Sequence, residues 1–308
     1  MARQNQIGVV TVTYNSGSVL SDFLRCMLGQ THERFILFAV DNASIDNTLQ
    51  ILQECSDSRL TVIANPGNDG VAKGNNQGIK AALQAGCDSV LLLNNDTEFD
   101  AGLLSQLDVD SDSYLADMVC PKVLYFDEPS RIWAAGGEFQ PWLGYRSIHT
   151  ALDEIDTDKH DEARLVTYTP TCCVLIRKAV FETIGLMDER YFVYVDDVDF
   201  MYRALKAGIK LRYLPTARLL HKVGRLTGGL ESPFTIRYCT RNRVYFLLKS
   251  FGIIRSLHIL LLYQIHFMIE FCRRRLSFSS LCLRERAVLE GFSLWRESLR
   301  IEVDLSQL

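Results

Sequence analysis

Four short apolar runs, each followed by a stretch with helical spacing, fill the first hundred residues and constrain the fold more than any other feature. Ile7–Thr13, Phe35–Asp41, Leu60–Ala64 and residues 89–94 read as strands. Runs this rich in Val, Ile and Leu suit strands buried on both faces. The helical patterns between them make βαβ units on a mostly parallel sheet. Between the first two strands, Val19, Leu20, Phe23, Leu24 and Met27 recur at helical spacing, with Ser16 or Ser18 placed to cap the helix. A second helix is expected from near Ser44, and a third over residues 73–84.

After Asp96 the runs shorten, to 118–123 and 174–177, with the polar segment 153–162 between them reading as a loop. A chain of 308 residues, 48% hydrophobic and 23% charged, can bury a full core. Residues 241–308 carry 11 Lys or Arg against 6 Asp or Glu, whereas residues 1–240 carry 22 against 31. An acidic body argues against a nucleic-acid partner, and a basic tail against an anionic surface is favourable. The nine cysteines lack metal-ligand spacing, and residues 1–6 have no apolar signal region. The expectation is reduced thiols and a cytoplasmic location.

In open α/β sheets ligands bind at the carboxyl ends of the strands. Here those ends are Thr13-Tyr14-Asn15, Asp41-Asn42-Ala43-Ser44, Asn65-Pro66 and Asn94-Asn95-Asp96-Thr97, four polar groups on one rim. The Asp41 carboxylate, acceptor-only when ionised, suits the N–H of a pyrimidine ring. The turn from Asn68 through Lys73, Gly74 and Asn75 runs into a helix. Its backbone N–H groups either meet a ribose or diphosphate, or its glycines and asparagines only shape the turn. Asp96 either binds a hard cation that bridges a diphosphate or closes the strand in an Asx turn.

Further on, Tyr191-Phe-Val-Tyr-Val-Asp-Asp-Val-Asp-Phe-Met-Tyr-Arg203 sets Asp196, Asp197 and Asp199 at the start of a helix. Val198, Met201, Tyr202 and Leu205 form its apolar face and Gly208 stops it. Adjacent carboxylates raise one another's pKa while a helix N-terminus lowers it, so sequence leaves the net direction open. Asp199 lies four residues before Arg203, the spacing of a surface ion pair. Asp196 is a helix cap or a group that orients an acceptor. His221 follows an expected strand at 210–214.

Together, residues 10–15, 40–46, 65–78, 91–97, 184–189 and the acidic run resemble the inverting nucleotide-sugar glycosyltransferases of family 2, which have the GT-A fold. The similarity is strongest to their bacterial rhamnosyltransferase-like branch and spans roughly residues 7–225. It implies a nucleotide-diphospho-sugar transferase fold, a mostly parallel sheet flanked by helices, with a C-terminal helical appendage. By position it implies that Thr13, Asn15 and Asp41 hold the nucleoside and that Gly74 and Asn75 help to place it. Tyr14, Asn68, Lys73 and Asn95 join them on the donor side. Asp96 matches the acidic member of the family's Asp-X-Asp motif. The first position is Asn94 instead, which leaves a weaker oxygen ligand for Mg2+ or Mn2+.

The same resemblance makes Asp197 the general base with Asp196 beside it, and gives His221 to the metal. Trp133, Gly136, Gly137 and Thr171, with Trp142 and Tyr145, fall where the family builds its acceptor surface; ordinary packing is the other reading. Lys222, Gly224, Arg225, Gly228 and Gly229 either form a loop over the diphosphate or a solvated loop. A nucleotidyltransferase would show a charged Gly-rich loop after strand one, which Thr13-Tyr14-Asn15-Ser16-Gly17 lacks.

Two domains are expected: residues 1–240, with a nucleotide half to about 100 and an acceptor half beyond, and residues 241–308. In the latter, residues 253–271 are mainly apolar, with Arg255, His258, His266 and Glu270 on one side of the wheel and Arg273-Arg274-Arg275 next. That pattern is read as an amphipathic helix on the inner face of the plasma membrane, too interrupted to span it; packing on its own domain or in a homodimer is the alternative. The expected activity is inverting transfer of a sugar, rhamnose from dTDP-rhamnose first, to a glycan or polyprenyl-diphosphate-linked acceptor in surface polysaccharide synthesis. UDP-galactofuranose or a UDP-hexose as donor is the alternative, and a non-catalytic sugar-nucleotide binding protein is the other class.

Overall fold

The structure, a computed structural model, describes residues 5–223 and 232–306. Its first third follows the apolar runs: β1 (Ile7–Thr13), α1 (Gly17–Leu28), β2 (Phe35–Asp41), α2 (Thr48–Glu54), β3 (Leu60–Ala64), α3 (Val71–Gln84) and β4 (Ser89–Leu93). There follow β5 (Thr97–Phe99), α4 (Leu103–Tyr114), β6 (Met118–Tyr125), β7 (Ile132–Ala135), β8 (Gly137–Gln140), β9 (Arg146–His149), β10 (Arg164–Val166), β11 (Cys173–Arg177), α5 (Lys178–Ile184), α6 (Asp196–Lys206) and β12 (Leu211–His221). The chain ends in α7 (Pro233–Phe251), α8 (Ile253–Cys272) and α9 (Phe278–Ser306).

The main sheet runs β10-β12-β6-β11-β4-β1-β2-β3, with β5 on β12 and β7 on β6. Strands β3, β2, β1 and β4 are parallel, β12 is parallel to β6, and β11 runs antiparallel between β4 and β6. Chain order reverses where β4 joins β1 on the side away from β2, the switch point at which such sheets open a ligand crevice. Helix α3 lies close on β1 because Gly8, Gly74 and Gly78 remove side chains from the contact. A Cβ on Gly78 would come within 2.3 Å of Val10. The core gathers Ile7, Val9, Phe23, Leu37 and Leu91 with Leu104, Val119, Leu175 and Leu219.

Several local expectations differ from the structure. Ser16 occupies the N-cap of α1, but its hydroxyl accepts from the Tyr14 N–H and caps nothing. Helix α2 begins at Thr48 rather than near Ser44, because Ser44 is bound into the Asp41 loop. Strand β4 stops at Leu93, and the turn that follows is closed by the Thr97 hydroxyl, which donates to the Asn94 carbonyl. His221 is the last residue of β12 itself. The polar 153–162 segment is anchored: fully buried Lys122 donates to Asp156 (2.6 Å) and to Asp161.

Residues 5–139, 147–192 and 196–223 form one unit, and 140–146, 193–195 and 232–306 a second. Helix α7 runs through residue 240, where the sequence reading places a boundary. Within the second unit, Val244, Leu247 and Leu248 of α7 pack on Ile259 and Leu260 of α8 and on Val288, Phe292 and Trp295 of α9. By length and composition alone α8 is long and apolar enough to cross a membrane. It nevertheless buries Ser256, Ile259 and Leu260 and exposes Ile254, Leu257, Leu261, Ile265 and Met268.

Candidate active site

Parallel pairing puts Thr13 in register with Asp41, so two side chains at neighbouring strand ends meet. The Thr13 hydroxyl donates to Asp41 Oδ1 at 2.9 Å, the Ser44 hydroxyl to the same oxygen at 2.5 Å, and the Ser44 N–H to Oδ2 at 3.0 Å. Three of about four acceptor sites on this buried carboxylate are therefore filled, and one on Oδ2 takes no hydrogen bond from the described residues. Asn15, with φ of 51°, accepts from the Ile45 N–H and donates its own N–H to Ser44. The Tyr14 ring stands exposed beside it.

The turn before α3 is more occupied than its sequence suggests. Asn68 accepts from the Gly70 N–H, and Lys73 pairs with Asp69 at 2.9 Å. The N–H groups of Val71 and Ala72 donate to the Phe192 carbonyl, so these two helix-start donors are not open to a phosphate. Gly70, with φ of 85°, permits that contact, since a Cβ would sit 2.4 Å from the Phe192 oxygen. Gly74 packs on Val12, and Asn75 is buried with its amide on the Met187 sulfur. The segment thus joins the donor rim to the residues just ahead of the acidic run.

Asp96 and His221 come together because β5 pairs antiparallel with β12, His221 lying opposite Thr97. His221 Nε2 is 3.3 Å from Asp96 Oδ1, and both residues are buried. Two ligands of one cation at metal–ligand distances near 2.1 Å stand about 3 Å apart, so the pair fits a shared ion. Among the described residues His221 Nδ1 and Asn95 Oδ1 are buried and make no hydrogen bond. Asn95 turns its amide inward to the Val12 carbonyl at 2.6 Å, and Asn94 is exposed with its carbonyl accepting from Thr97. Among the described residues no three His, Cys, Asp or Glu side chains gather, so ligand oxygens or water would have to complete a shell. Lys222, read from sequence as part of a loop over a diphosphate or of a solvated loop, is buried on Glu98 (2.7 Å) and Asp22 (3.3 Å). Gly224, Arg225, Gly228 and Gly229 lie outside the described residues.

The acidic run divides by environment. Asp199 is buried and binds Arg203 at 2.8 Å, so the expected ion pair forms, but inside the protein instead of on its surface. Asp196 is also buried, and burial followed by the Asp197 charge pushes its carboxyl up to about 8. Asp197 keeps part of its surface open. Burial raises its carboxyl as well, opposed by hydrogen bonds from the Tyr168 hydroxyl to Oδ2 (2.5 Å) and from the Val198 N–H to Oδ1 (2.8 Å). The direction left open by sequence is therefore upward for both, because desolvation exceeds the helix-end effect.

Of the expected acceptor residues, Trp133 sets its ring edge-on to His149 (4.5 Å) and to His221 (4.6 Å). Gly136 and Gly137 are buried, where a Cβ would strike Val166 and Tyr168. Thr171 is half-buried at the head of the segment leading into β11. Trp142 and Tyr145 belong to the second unit, where Tyr145 stacks on Phe251. Sequence reasoning missed Tyr168 and His149, which reach the acidic run only through tertiary pairing.

Comparison with known proteins gives these residues a family. The glycosyl transferase family 2 description matches residues 8–185. The chain is 26% identical to the low-salt glycan biosynthesis hexosyltransferase Agl10 of Haloferax volcanii, over 78% of this chain and 74% of that protein. It is 30% identical to an N-acetylglucosaminyl-diphospho-decaprenol L-rhamnosyltransferase of Mycobacterium tuberculosis, over 71% of this chain and 77% of the relative. In fold it resembles the crystal structure of GalNAc-T7 with UDP, GalNAc and Mn2+, with a TM-score of 0.62 at 16% identity. That match covers 83% of this chain and half of the other. The chain thus belongs to glycosyl transferase family 2, a glycosyltransferase on the GT-A fold.

Proposed function

We propose that the protein is an inverting hexosyltransferase whose general base is Asp197, with rhamnose from dTDP-rhamnose as the first donor to test. The observation that carries this reading is the division between two adjacent carboxylates. Asp196 is buried and pushed up to about 8, so at neutral pH it is mostly protonated. Asp197 keeps an open face and takes two hydrogen bonds that favour its ionised form. In the transfer, the acceptor hydroxyl gives its proton to Asp197 as its oxygen bonds to the anomeric carbon. The bond from that carbon to the diphosphate breaks on the opposite face, releasing the nucleoside diphosphate.

Thr13, Asn15 and Asp41 form the nucleoside side, with Tyr14 at its edge and Gly74 and Asn75 shaping its floor. Asp96 and His221, with Asn94 at the rim, would hold a divalent cation, which when bound offsets charge on the departing diphosphate. Trp133 borders the acceptor side. The M. tuberculosis relative's name points to a polyprenyl-diphosphate-linked acceptor, and the second unit suits it. The exposed apolar stripe of α8, followed by Arg273, Arg274 and Arg275, fits the surface of an anionic bilayer.

The test is a donor screen of dTDP-rhamnose, UDP-galactofuranose and UDP-hexoses that follows nucleoside diphosphate release, with Mg2+, Mn2+ or chelator present. The Asp197→Asn variant is run beside the wild type. Expected is a loss of transfer of about a hundredfold or more with UDP or dTDP binding retained. Undiminished transfer by the variant would sink the base assignment, and nucleotide binding without turnover of any donor would favour a binding protein.

A further inference from the structure

We propose that Tyr168 is a positioning residue for the base: its phenol fixes the carboxylate of Asp197 and keeps it ionised for proton abstraction. The proposal rests on the reading of Asp197 as base.

The geometry holds Asp197 from two sides. Oδ2 accepts from the Tyr168 hydroxyl and Oδ1 from the Val198 N–H, so neither oxygen can swing without losing a bond. The phenol's own proton is directed, because a phenol carries a single O–H and it is given to Asp197 Oδ2 at 2.5 Å.

Tyr168 is itself held firmly. Its N–H donates to the Gly137 carbonyl at 3.0 Å, and the missing Cβ of Gly137 makes room for its ring, which a methyl would approach within 2.8 Å. The ring lies between Phe139 (5.4 Å) and His149 (6.0 Å, nearly parallel). His149 Nδ1 hydrogen-bonds to the Trp133 carbonyl at 3.2 Å, the ring nitrogen donating. Trp133 reaches on to His221, so an aromatic series connects the base with the Asp96–His221 pair. Gly137 and Trp133, read from sequence as acceptor contacts, here support the base.

Among the described residues the titratable groups around Asp197 are Tyr168, His149, Asp196 and Cys172, with Asp199 on the same helix turn held by Arg203. Burial holds His149 below its ordinary range and pushes the Cys172 thiol and the Tyr168 phenol far up, so none carries a charge at neutral pH that replaces the phenol's bond. A donor to a carboxylate favours the ionised form. Its removal therefore moves the base's titration to higher pH.

The experiment compares kcat/KM for transfer against pH in the wild type, Tyr168→Phe, Asp197→Asn and a protein carrying 3,5-difluorotyrosine at position 168. The donor is whichever of dTDP-rhamnose or a UDP-sugar turns over, and calorimetry with UDP and dTDP reports nucleotide binding. Tyr168→Phe is expected to lose roughly tenfold at neutral pH, the usual worth of a hydrogen bond to a charged group. Its base limb moves to higher pH with nucleotide affinity unchanged. The difluorinated phenol, a stronger donor of the same shape, moves the limb to lower pH and decides the matter if Tyr168→Phe does not fold. Unmoved limbs in both proteins, with Asp197→Asn inactive, would overturn the role of Tyr168 alone. An active Asp197→Asn would overturn the base reading and this proposal with it.

Discussion

His221 Nε2 and Asp96 Oδ1 stand 3.3 Å apart, joined by a strand pairing that places His221 opposite Thr97. His221→Ala removes one of the residues proposed to hold the cation, and Asp96→Asn leaves only a weaker oxygen ligand in place of the other. Either variant should weaken Mn2+ binding in the presence of UDP by at least about tenfold. Titration of Mn2+ followed by electron paramagnetic resonance measures it, and equal affinity in both variants would exclude the pair as ligands.

Asp196 makes stability depend on pH in an unusual direction. Its carboxyl is raised from 3.8 to about 8 in the folded protein, so the native state holds this proton more tightly than the unfolded chain. Stabilisation is complete below the unfolded value and declines as pH climbs through this window towards 8. Asp196→Asn should therefore gain stability over the wild type at pH 8 and little at pH 4, as urea midpoints across that range would report. A variant equally affected at both ends would contradict it.

Gly78 lets α3 approach β1. A methyl there would meet Val10 Cγ1 at 2.3 Å, on a central strand that is buried and paired on both sides. Gly78→Ala should cost about 1–3 kcal/mol, more than the ~1 kcal/mol that alanine adds in helix propensity. Denaturant unfolding checks it, and a stabilised variant would mean that the strand yields easily.

The α8 stripe invites a flotation assay with liposomes containing phosphatidylserine. Leu261→Glu with Ile265→Glu should reduce the bound fraction about tenfold or more, and salt should weaken what remains. Unchanged flotation would remove the membrane reading. A concentration-dependent dimer lost in the same variant would instead assign the stripe to a second copy.

Much of the donor half is legible in the amino-acid sequence. Strands β1, β2 and β3 lie where their apolar runs begin and end; β1 and β2, buried on both faces, write an unbroken pattern into the chain, and β3 is a part-buried edge strand. Their polar ends, Thr13 and Asp41 above all, meet as the register requires. The start of α3 is not legible in the same way. Its glycines and asparagines suit a phosphate cradle, yet Phe192, far along the chain, fills its N–H groups. Nor can sequence order the carboxylates of α6, because all three share a helix turn and differ only in what buries them.

From sequence alone come the βαβ frame, the polar rim at its strand ends and the family, because local periodicity and motif order survive without knowledge of contacts. Tertiary structure decides the rest. Strand β12 carries His221 to Asp96, Gly137 admits the ring of Tyr168, and Tyr168 turns one of two adjacent aspartates into an oriented carboxylate. These relations depend on desolvation and on pairings between segments distant in the chain, and such terms exist only once the protein has folded.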